Sequence, residues 1–174
     1  KTLFYNGNST YKRERITTDD NDFLDLDFSI KNTETLVIAM HGLEGSSNSK
    51  YIISVVNHLN NNNIDCLAVN FRGCSGEENT KYHSYHSGAS DDLNEVVHHA
   101  LGLNKYNEIY INGFSLGGNI VLKYLGEEKF MIPKEIKGAM AVSVPCSLYG
   151  SCVELHKTKN YPYALMFLIN LKSK

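Results

Sequence analysis

The sequence lacks an excess of charge of either sign. It holds 17 lysines and arginines against 19 aspartates and glutamates, so its formal net charge is −2. A domain that binds nucleic acid or an anionic membrane surface usually carries a clear basic excess. We therefore predict no nucleic-acid partner.

Cysteine spacing and the length of apolar runs argue against further classes. Cys66, Cys74, Cys146 and Cys152 form no C-x-x-C pair, so we predict reduced thiols and neither a zinc site nor a disulfide framework. The longest late apolar run, residues 164–171, is far shorter than the ~20 residues of a membrane-spanning helix. We predict no transmembrane segment, no metal ion and no cofactor.

The ends and the length of the chain bound its organisation. Residues 1–8 contain no apolar core of a secretory signal, which favours a cytoplasmic protein. The chain begins with Lys rather than Met, which leaves open a segment before it. Its 174 residues suffice for one domain with a hydrophobic core, and no repeat or low-complexity linker divides them.

Strand and helix patterns alternate along most of the chain. Residues 15–17 and 23–28 predict an antiparallel start, and the second segment alternates apolar and acidic residues like a half-exposed strand. The alternation that follows is typical of a parallel α/β sheet. The predicted strands are residues 36–40, 64–71, 108–112 and 136–144. The predicted helices are residues 51–59, 91–101 with Ser90 as N-cap, a segment from Ser115 to about Gly126, and the short pair 147–156 and 161–171.

A G-x-S-x-G motif, from Gly113 to Gly117, lies between a predicted strand and a predicted helix. At a sharp turn of this kind the serine backbone is strained and its hydroxyl stands clear of the sheet. Glycines suit the flanking positions because a Cβ there would collide with the neighbouring strand or helix. The context favours Ser115 as a nucleophile over a chance Gly-Ser turn, and it places the Leu116 N–H where an oxyanion would form.

A second loop of small residues, His41-Gly42-Leu43-Glu44-Gly45-Ser46-Ser47, follows the strand at residues 36–40. Acyl transfer by a serine needs two or more N–H donors directed at the developing oxyanion. Small residues let the backbone approach a ligand closely. We predict the Leu43 N–H as the second donor, with Glu44 as the next candidate, and His41 and Gly42 as residues that shape the loop.

Four blocks of the sequence resemble the YheT-like branch of the α/β-hydrolase superfamily. They are residues 41–47, 70–76 (NFRGCSG), 85–93 (YHSGASDDL) and 113–119 (GFSLGGN), and the resemblance covers about residues 11–149. It implies a doubly wound α/β-hydrolase fold and a relay of serine, acid and histidine. It also implies hydrolysis of carboxylic esters, with a small-molecule or lipid ester as substrate.

The same resemblance implies that part of the relay lies outside this chain. The acid and the histidine follow the nucleophile in this fold, yet only His156 follows Ser115, and a pair of these two would need the last segment to fold back over the motif. We therefore expect residues 1–146 to be a partial core without its last two strands, and residues 147–174 to begin a cap. A segment before residue 3 is also expected to be absent.

Two interpretations of such a chain stay open. The first is a fragment of a longer serine hydrolase, and the alternative is a non-catalytic truncated remnant that serves as a binding or interaction module. Either way, an edge left after the sixth strand would be apolar, which predicts association or a partly molten state of the chain alone. The sequence leaves the oligomeric state open.

The charged residues of the loop at residues 72–88 favour structural roles. His83 and His86 either contact substrate or order this loop, and we favour the second. A metal site from His83, His86 and Asp91 is a weaker alternative. Arg72 is expected to pair with Asp91 or Asp92 and to brace the loops around Ser115.

Overall fold

The computed structural model describes residues 7–172. Its elements are β1 (Lys12–Thr17), β2 (Phe23–Ser29), β3 (Thr35–Met40), α1 (Lys50–Asn61), β4 (Asp65–Asn70), α2 (Ser90–Gly102), β5 (Glu108–Phe114), α3 (Leu116–Gly126), β6 (Ile136–Val142), α4 (Leu148–Leu155) and α5 (Tyr161–Lys172), with a 3₁₀ turn at Thr158–Asn160. Every predicted strand and helix is present, with ends shifted by a few residues. The prediction about residues 1–8 falls mostly outside the described part.

The six strands form one sheet in the order β1-β2-β4-β3-β5-β6. β2 pairs antiparallel with both β1 and β4, and the other pairs are parallel. The antiparallel start and the mostly parallel sheet are thus confirmed. Because β3, β4, β5 and β6 share one direction, the loops that follow them emerge at the same edge, which therefore carries all the predicted site residues.

Apolar clusters cover both faces of the sheet, as a doubly wound fold requires. On one face α1 buries Ile52 and Val56 against Ala39, Cys66 and Ala68. On the other face α2 and α3 contribute to a larger cluster, which includes Leu26, Ile38, Leu67, Leu93, Val96, Ile111, Ile120 and Tyr124. Within residues 7–172, no helix combines the length and the apolar character needed to cross a bilayer.

The prediction of a half-exposed β2 is wrong, because all seven residues of β2 are buried. The alternation is real, but the acidic face lies under arginines of the neighbouring strand. Arg13 stands opposite Asp27 and Arg15 opposite Asp25, and each arginine forms a two-pronged hydrogen-bonded pair with its partner at 2.7–2.9 Å. Arg15 also binds Glu77 of the loop after β4, which helps to cover this face.

The expected N-cap at Ser90 is also wrong. Ser90 is already the first helical residue of α2, Ala89 occupies the cap position, and no side chain caps the helix. The Ser90 hydroxyl instead donates to a carboxylate oxygen of Glu127, at the end of α3. The hydroxyl therefore joins two helices on the same face of the sheet and does not satisfy the start of its own helix.

A groove of about 600 Å³ lies between α1 and the neighbouring surface of β5 and β6. Its apolar lining includes Val55, Leu59, Tyr110 and Met140. β6 is an edge strand among the described residues, and its Met140 side chain is 57% exposed. The expected apolar edge is thus present at β6 and continues into this groove.

We predict that the chain self-associates through this edge and that Met140→Lys reduces the association, because a lysine on an edge strand opposes strand pairing and apolar contact. Sedimentation velocity over a range of concentrations measures the effect. Met131→Lys is the matched control, since Met131 is 93% exposed in the loop before β6 and lies outside the groove lining. A wild-type chain that stays monomeric and melts sharply would contradict the prediction.

The paired carboxylates make stability depend on acid pH. Burial by itself would raise the pKa of Asp27, but hydrogen bonds from Arg13, Ser47 and Asn70 outweigh it and hold the pKa below its usual 3.8. A hydrogen bond from Thr18, with a further contribution from Arg72, lowers the pKa of Asp20 to about 2. These groups release protons more readily in the folded chain than in the unfolded chain.

We therefore predict that the free energy of unfolding falls as the pH is lowered from about 5 to about 2, because the unfolded chain binds protons near pH 4 while the folded carboxylates still resist them. Urea unfolding at a series of pH values measures this slope. Asp27→Asn should be less stable near neutral pH, because the Arg13 guanidinium loses its two-pronged carboxylate partner, and it should show a weaker slope. Equal unfolding midpoints at both ends of this pH range would refute the prediction.

Candidate active site

Ser115 lies at a strained turn between β5 and α3. Its backbone has φ 51° and ψ −115°, in the region that residues other than glycine rarely adopt, and its side chain is exposed. The Ser115 N–H donates to the carbonyl of Val142 in β6 at 2.8 Å, so the sheet holds the turn in place. This is the backbone geometry predicted for a nucleophile at a strand-to-helix turn.

The glycines around Ser115 permit backbone contact across this turn. A Cβ on Gly117 would lie 2.4 Å from the carbonyl oxygen of His41, and a Cβ on Gly113 would lie 2.5 Å from the carbonyl oxygen of Gly117. Both distances are shorter than any real Cβ contact. Gly113 and Gly117 therefore let α3 begin directly against β5 and the end of β3.

The loop after β3, residues 41–47, lies beside Ser115, and we call it the oxyanion loop. A Cβ placed on Gly42 would come within 3.2 Å of the Ser115 Cβ. The structure therefore brings together the two separate sequence motifs, although they are more than 60 residues apart in the chain. The adjacency of β3 and β5 in the sheet is the cause.

The amides of the oxyanion loop differ in their partners. The Gly42 N–H donates to the Tyr51 hydroxyl at 2.8 Å, and the Glu44 N–H donates to the Tyr85 hydroxyl at 3.0 Å. Between them, the Leu43 N–H has no acceptor within residues 7–172. Leu116 is the first residue of α3, so its N–H has no carbonyl one turn back within the helix. Because the Glu44 amide is engaged, the geometry favours Leu43 over Glu44 as a donor.

His41 is fully buried and holds the oxyanion loop to the end of β4. Its Nδ1 lies 2.7 Å from the Gly42 carbonyl, and its Nε2 lies 3.2 Å from the Phe71 N–H. A carbonyl can only accept and an amide can only donate, so these contacts assign the ring proton to Nδ1. With both ring nitrogens engaged by backbone groups, His41 joins the oxyanion loop to the end of β4.

Arg72 fixes the start of the loop after β4. Its guanidinium is buried and binds Asp92 at 2.8–3.3 Å and Asp20 at 2.9 Å. The predicted pair with Asp92 is therefore confirmed, whereas Asp91 contacts Lys129. Burial would lower the pKa of Arg72, but its hydrogen bonds to Asp92 are the larger influence and raise it, so the charge is permanent.

Three further histidines contact groups other than Ser115. His83 is 3.4 Å from Asp20, in the turn between β1 and β2, whereas the His86 Nδ1 accepts from the Gly88 N–H of its own loop at 3.0 Å. His156 is exposed directly after α4, and its Nδ1 contacts the Cys152 carbonyl one turn earlier. In the described part of the chain, His83, His86 and Asp91 do not form a cluster that could hold a metal ion.

Sequence reasoning did not find three residues that hold the oxyanion loop. Besides Tyr51 and Tyr85, these include Asn70, whose side chain accepts from the Ser47 N–H at 2.9 Å and donates to Asp27 at 2.9 Å. Asn70 and Tyr85 fall within two of the four blocks that resemble the family, and this position was the one sign in the sequence that they contribute to the site. Tyr51 lies in a helix pattern outside those blocks and gave none.

Comparisons with known proteins agree with this geometry. A family model described as the alpha/beta hydrolase fold matches residues 35–160. The chain belongs to this family. It is 30% identical to YheT of Escherichia coli (strain K12) over 162 residues, which are 91% of this chain and 47% of that protein. These matches assign it to the YheT-like branch.

Two further similarities concern proteins named for ester chemistry. The chain is 30% identical to the monoacylglycerol lipase of Saccharomyces cerevisiae over 128 residues, which are 73% of this chain and 28% of the lipase. The solved structure of the Pyrococcus furiosus esterase Pf2001 superposes with a TM-score of 0.71 at 25% identity, covering 91% of this chain and 65% of the esterase. The chain thus spans about half the length of YheT and less than a third of the yeast lipase.

The strain at Ser115 predicts a measurable gain on substitution. Ser115→Gly should be about 1 kcal/mol more stable than Ser115→Ala, because glycine tolerates a positive φ and this relief exceeds the extra entropy of unfolded glycine. Ser84, exposed and without a positive φ, is the control position, where glycine should be the less stable of the two. Urea denaturation of the four variants tests this, and a Ser115→Gly variant no more stable than Ser115→Ala would argue against strain.

Proposed function

We propose that this chain is the nucleophile-bearing part of a serine hydrolase that acts on carboxylic esters, including lipid esters. One observation carries the proposal. Ser115, exposed and with φ 51° at the start of α3, lies directly beside a loop in which the Leu43 N–H has no acceptor among the described residues. The names of the yeast lipase and the archaeal esterase support an ester as the substrate. A cytoplasmic location stays a prediction.

In the proposed reaction, the Ser115 Oγ attacks the ester carbonyl carbon and its proton passes to a general base. The carbonyl oxygen becomes an oxyanion, which would accept hydrogen bonds from the Leu43 and Leu116 N–H groups. The positive end of the α3 dipole would add to this stabilisation. Collapse of the intermediate expels the alcohol with that proton and leaves an acyl-enzyme, which water then hydrolyses.

The general base and its orienting acid are proposed to come from outside residues 1–174. In the part of the chain that the structure describes, the Ser115 hydroxyl has no histidine partner, and the contacts of His41 and His156 direct both rings elsewhere. The division into a core at residues 1–146 and the start of a cap at residues 147–174 also stays a proposal. α4 and α5 have no fully buried residue among those described.

The absence of a base contact also motivates the alternative, a non-catalytic module that binds a ligand or a partner. The oxyanion donors and binding alone retain some catalysis, about 10³–10⁴-fold over water in a well-studied protease, so trace activity does not distinguish the two. The coding sequence after the Lys174 codon does. An immediate stop favours the module, and continued coding with a late Asp and His favours the hydrolase.

The decisive experiment uses a fluorophosphonate probe on the protein expressed from its complete coding sequence. We expect covalent labelling at Ser115, located by mass spectrometry, and a loss of ester hydrolysis of about 10³-fold or more in Ser115→Ala. Ser84→Ala, at another exposed serine, should label like the wild type. A folded protein that does not label at Ser115 would exclude the proposed nucleophile.

A further inference from the structure

Two tyrosines from different parts of the chain occupy the amides on either side of Leu43. Tyr51, in the first turn of α1, accepts from the Gly42 N–H, and Tyr85, in the loop after β4, accepts from the Glu44 N–H. Hydrogen bonding therefore alternates along three consecutive amides of the oxyanion loop. The outer two are bound within the protein, and the middle one faces no acceptor in the described residues.

Tyr85 also holds Glu44 in an unfavourable conformation. Glu44 has φ 54°, in the left-handed region, which costs a residue with a side chain free energy. The Tyr85 hydroxyl donates to the Glu44 carboxylate and accepts from the Glu44 amide. One hydroxyl therefore binds both the side chain and the backbone of that residue. Burial raises the pKa of Tyr85 above its usual range, and the neighbouring Glu44 carboxylate adds to the shift, so the hydroxyl keeps its proton.

The rings of both tyrosines are anchored on other elements of the site. The Tyr51 ring lies 5.1 Å from the ring of Phe114, the residue before Ser115. The Tyr85 ring stacks at 5.3 Å on Phe71, which in turn packs at 4.1 Å against His41. Packing against the turn that carries the serine thus fixes the position of the Tyr51 hydroxyl, and packing against the end of β4 fixes that of the Tyr85 hydroxyl.

We propose that Tyr51 and Tyr85 are positioning residues that preset the oxyanion loop, an inference that rests on the proposed hydrolase function. We call the pair the tyrosine clamp. The clamp holds the Leu43 N–H toward the oxyanion position by fixing the amide on each side of it. Donors act efficiently only when they are fixed before the reaction, and a misplacement of about 1 Å can cost about 100-fold in rate.

The first test measures the clamp without any catalysis. In Tyr51→Phe and Tyr85→Phe the rings and their packing stay, while each variant loses one hydroxyl acceptor. We expect amide hydrogen exchange within residues 42–45 to become about five- to ten-fold faster, in line with the loss of one hydrogen bond. Tyr149→Phe, at a tyrosine that is 83% exposed on α4, should exchange like the wild type. Unchanged exchange in both clamp variants overturns the proposal.

The second test links the clamp to the reaction in the protein expressed from its complete coding sequence. With a p-nitrophenyl ester, Tyr85→Phe should lower kcat by about 10- to 100-fold with KM nearly unchanged, because the oxyanion forms only in the transition state. Glu44→Gln keeps an acceptor for the Tyr85 hydroxyl, so it should lower kcat less than Tyr85→Phe does.

The two tests separate failure of the clamp from failure of the proposed function. Faster exchange with an unchanged kcat overturns the positioning role even if the enzyme is active. If hydrolysis does not depend on Ser115, the proposed function fails, and the exchange measurement still decides whether the tyrosines hold the loop.

Discussion

The start of α3 meets the carboxyl end of β3 at backbone contact, with no space for a side chain between them. Gly117 lies so close to the His41 and Met40 carbonyls that a Cβ there would fall 2.4–2.8 Å from their oxygens. This contact brings the strained Ser115 beside the oxyanion loop. It exists because β3 and β5 are neighbouring parallel strands whose following loops emerge at one edge. A larger residue at position 117 would separate the serine from the donors that the proposed chemistry needs.

The rigid surroundings of this contact are largely polar. Asp27, Asn70 and Ser47 form a buried hydrogen-bonded group at the far end of the oxyanion loop, and Arg13 neutralises the carboxylate from the exposed side. The buried Arg72 likewise neutralises Asp92 and Asp20 at the start of the loop after β4. Such networks add little net stability compared with apolar packing, but they tolerate few alternative arrangements when fully satisfied. Here they keep separate loops in a single relative position.

The sequence predicted what depends on local pattern. Strand and helix periodicity predicted the order of the elements. Gly113 to Gly117 predicted the turn, because the serine and the glycines that permit it are close together in the sequence. The partners of Asp25 and Asp27 could not be predicted in the same way. Their burial depends on the register of β1 against β2, which pairs Arg13 with Asp27. A half-exposed strand and a strand covered by arginines show the same alternation.

The roles of Tyr51 and Tyr85 were hidden for a related reason. A tyrosine in a helix pattern or a loop gives no signal of which backbone amide its hydroxyl will reach, since that depends on ring packing against Phe114 or Phe71. All these partners come from one contiguous run, residues 41–117, which contains both motifs. The oxyanion side of the site therefore needs only this run and the strands beside it for its geometry. In the proposed hydrolase, a histidine and an acid would have to reach the exposed Ser115 hydroxyl from elsewhere, so their placement would be the long-range part of the problem.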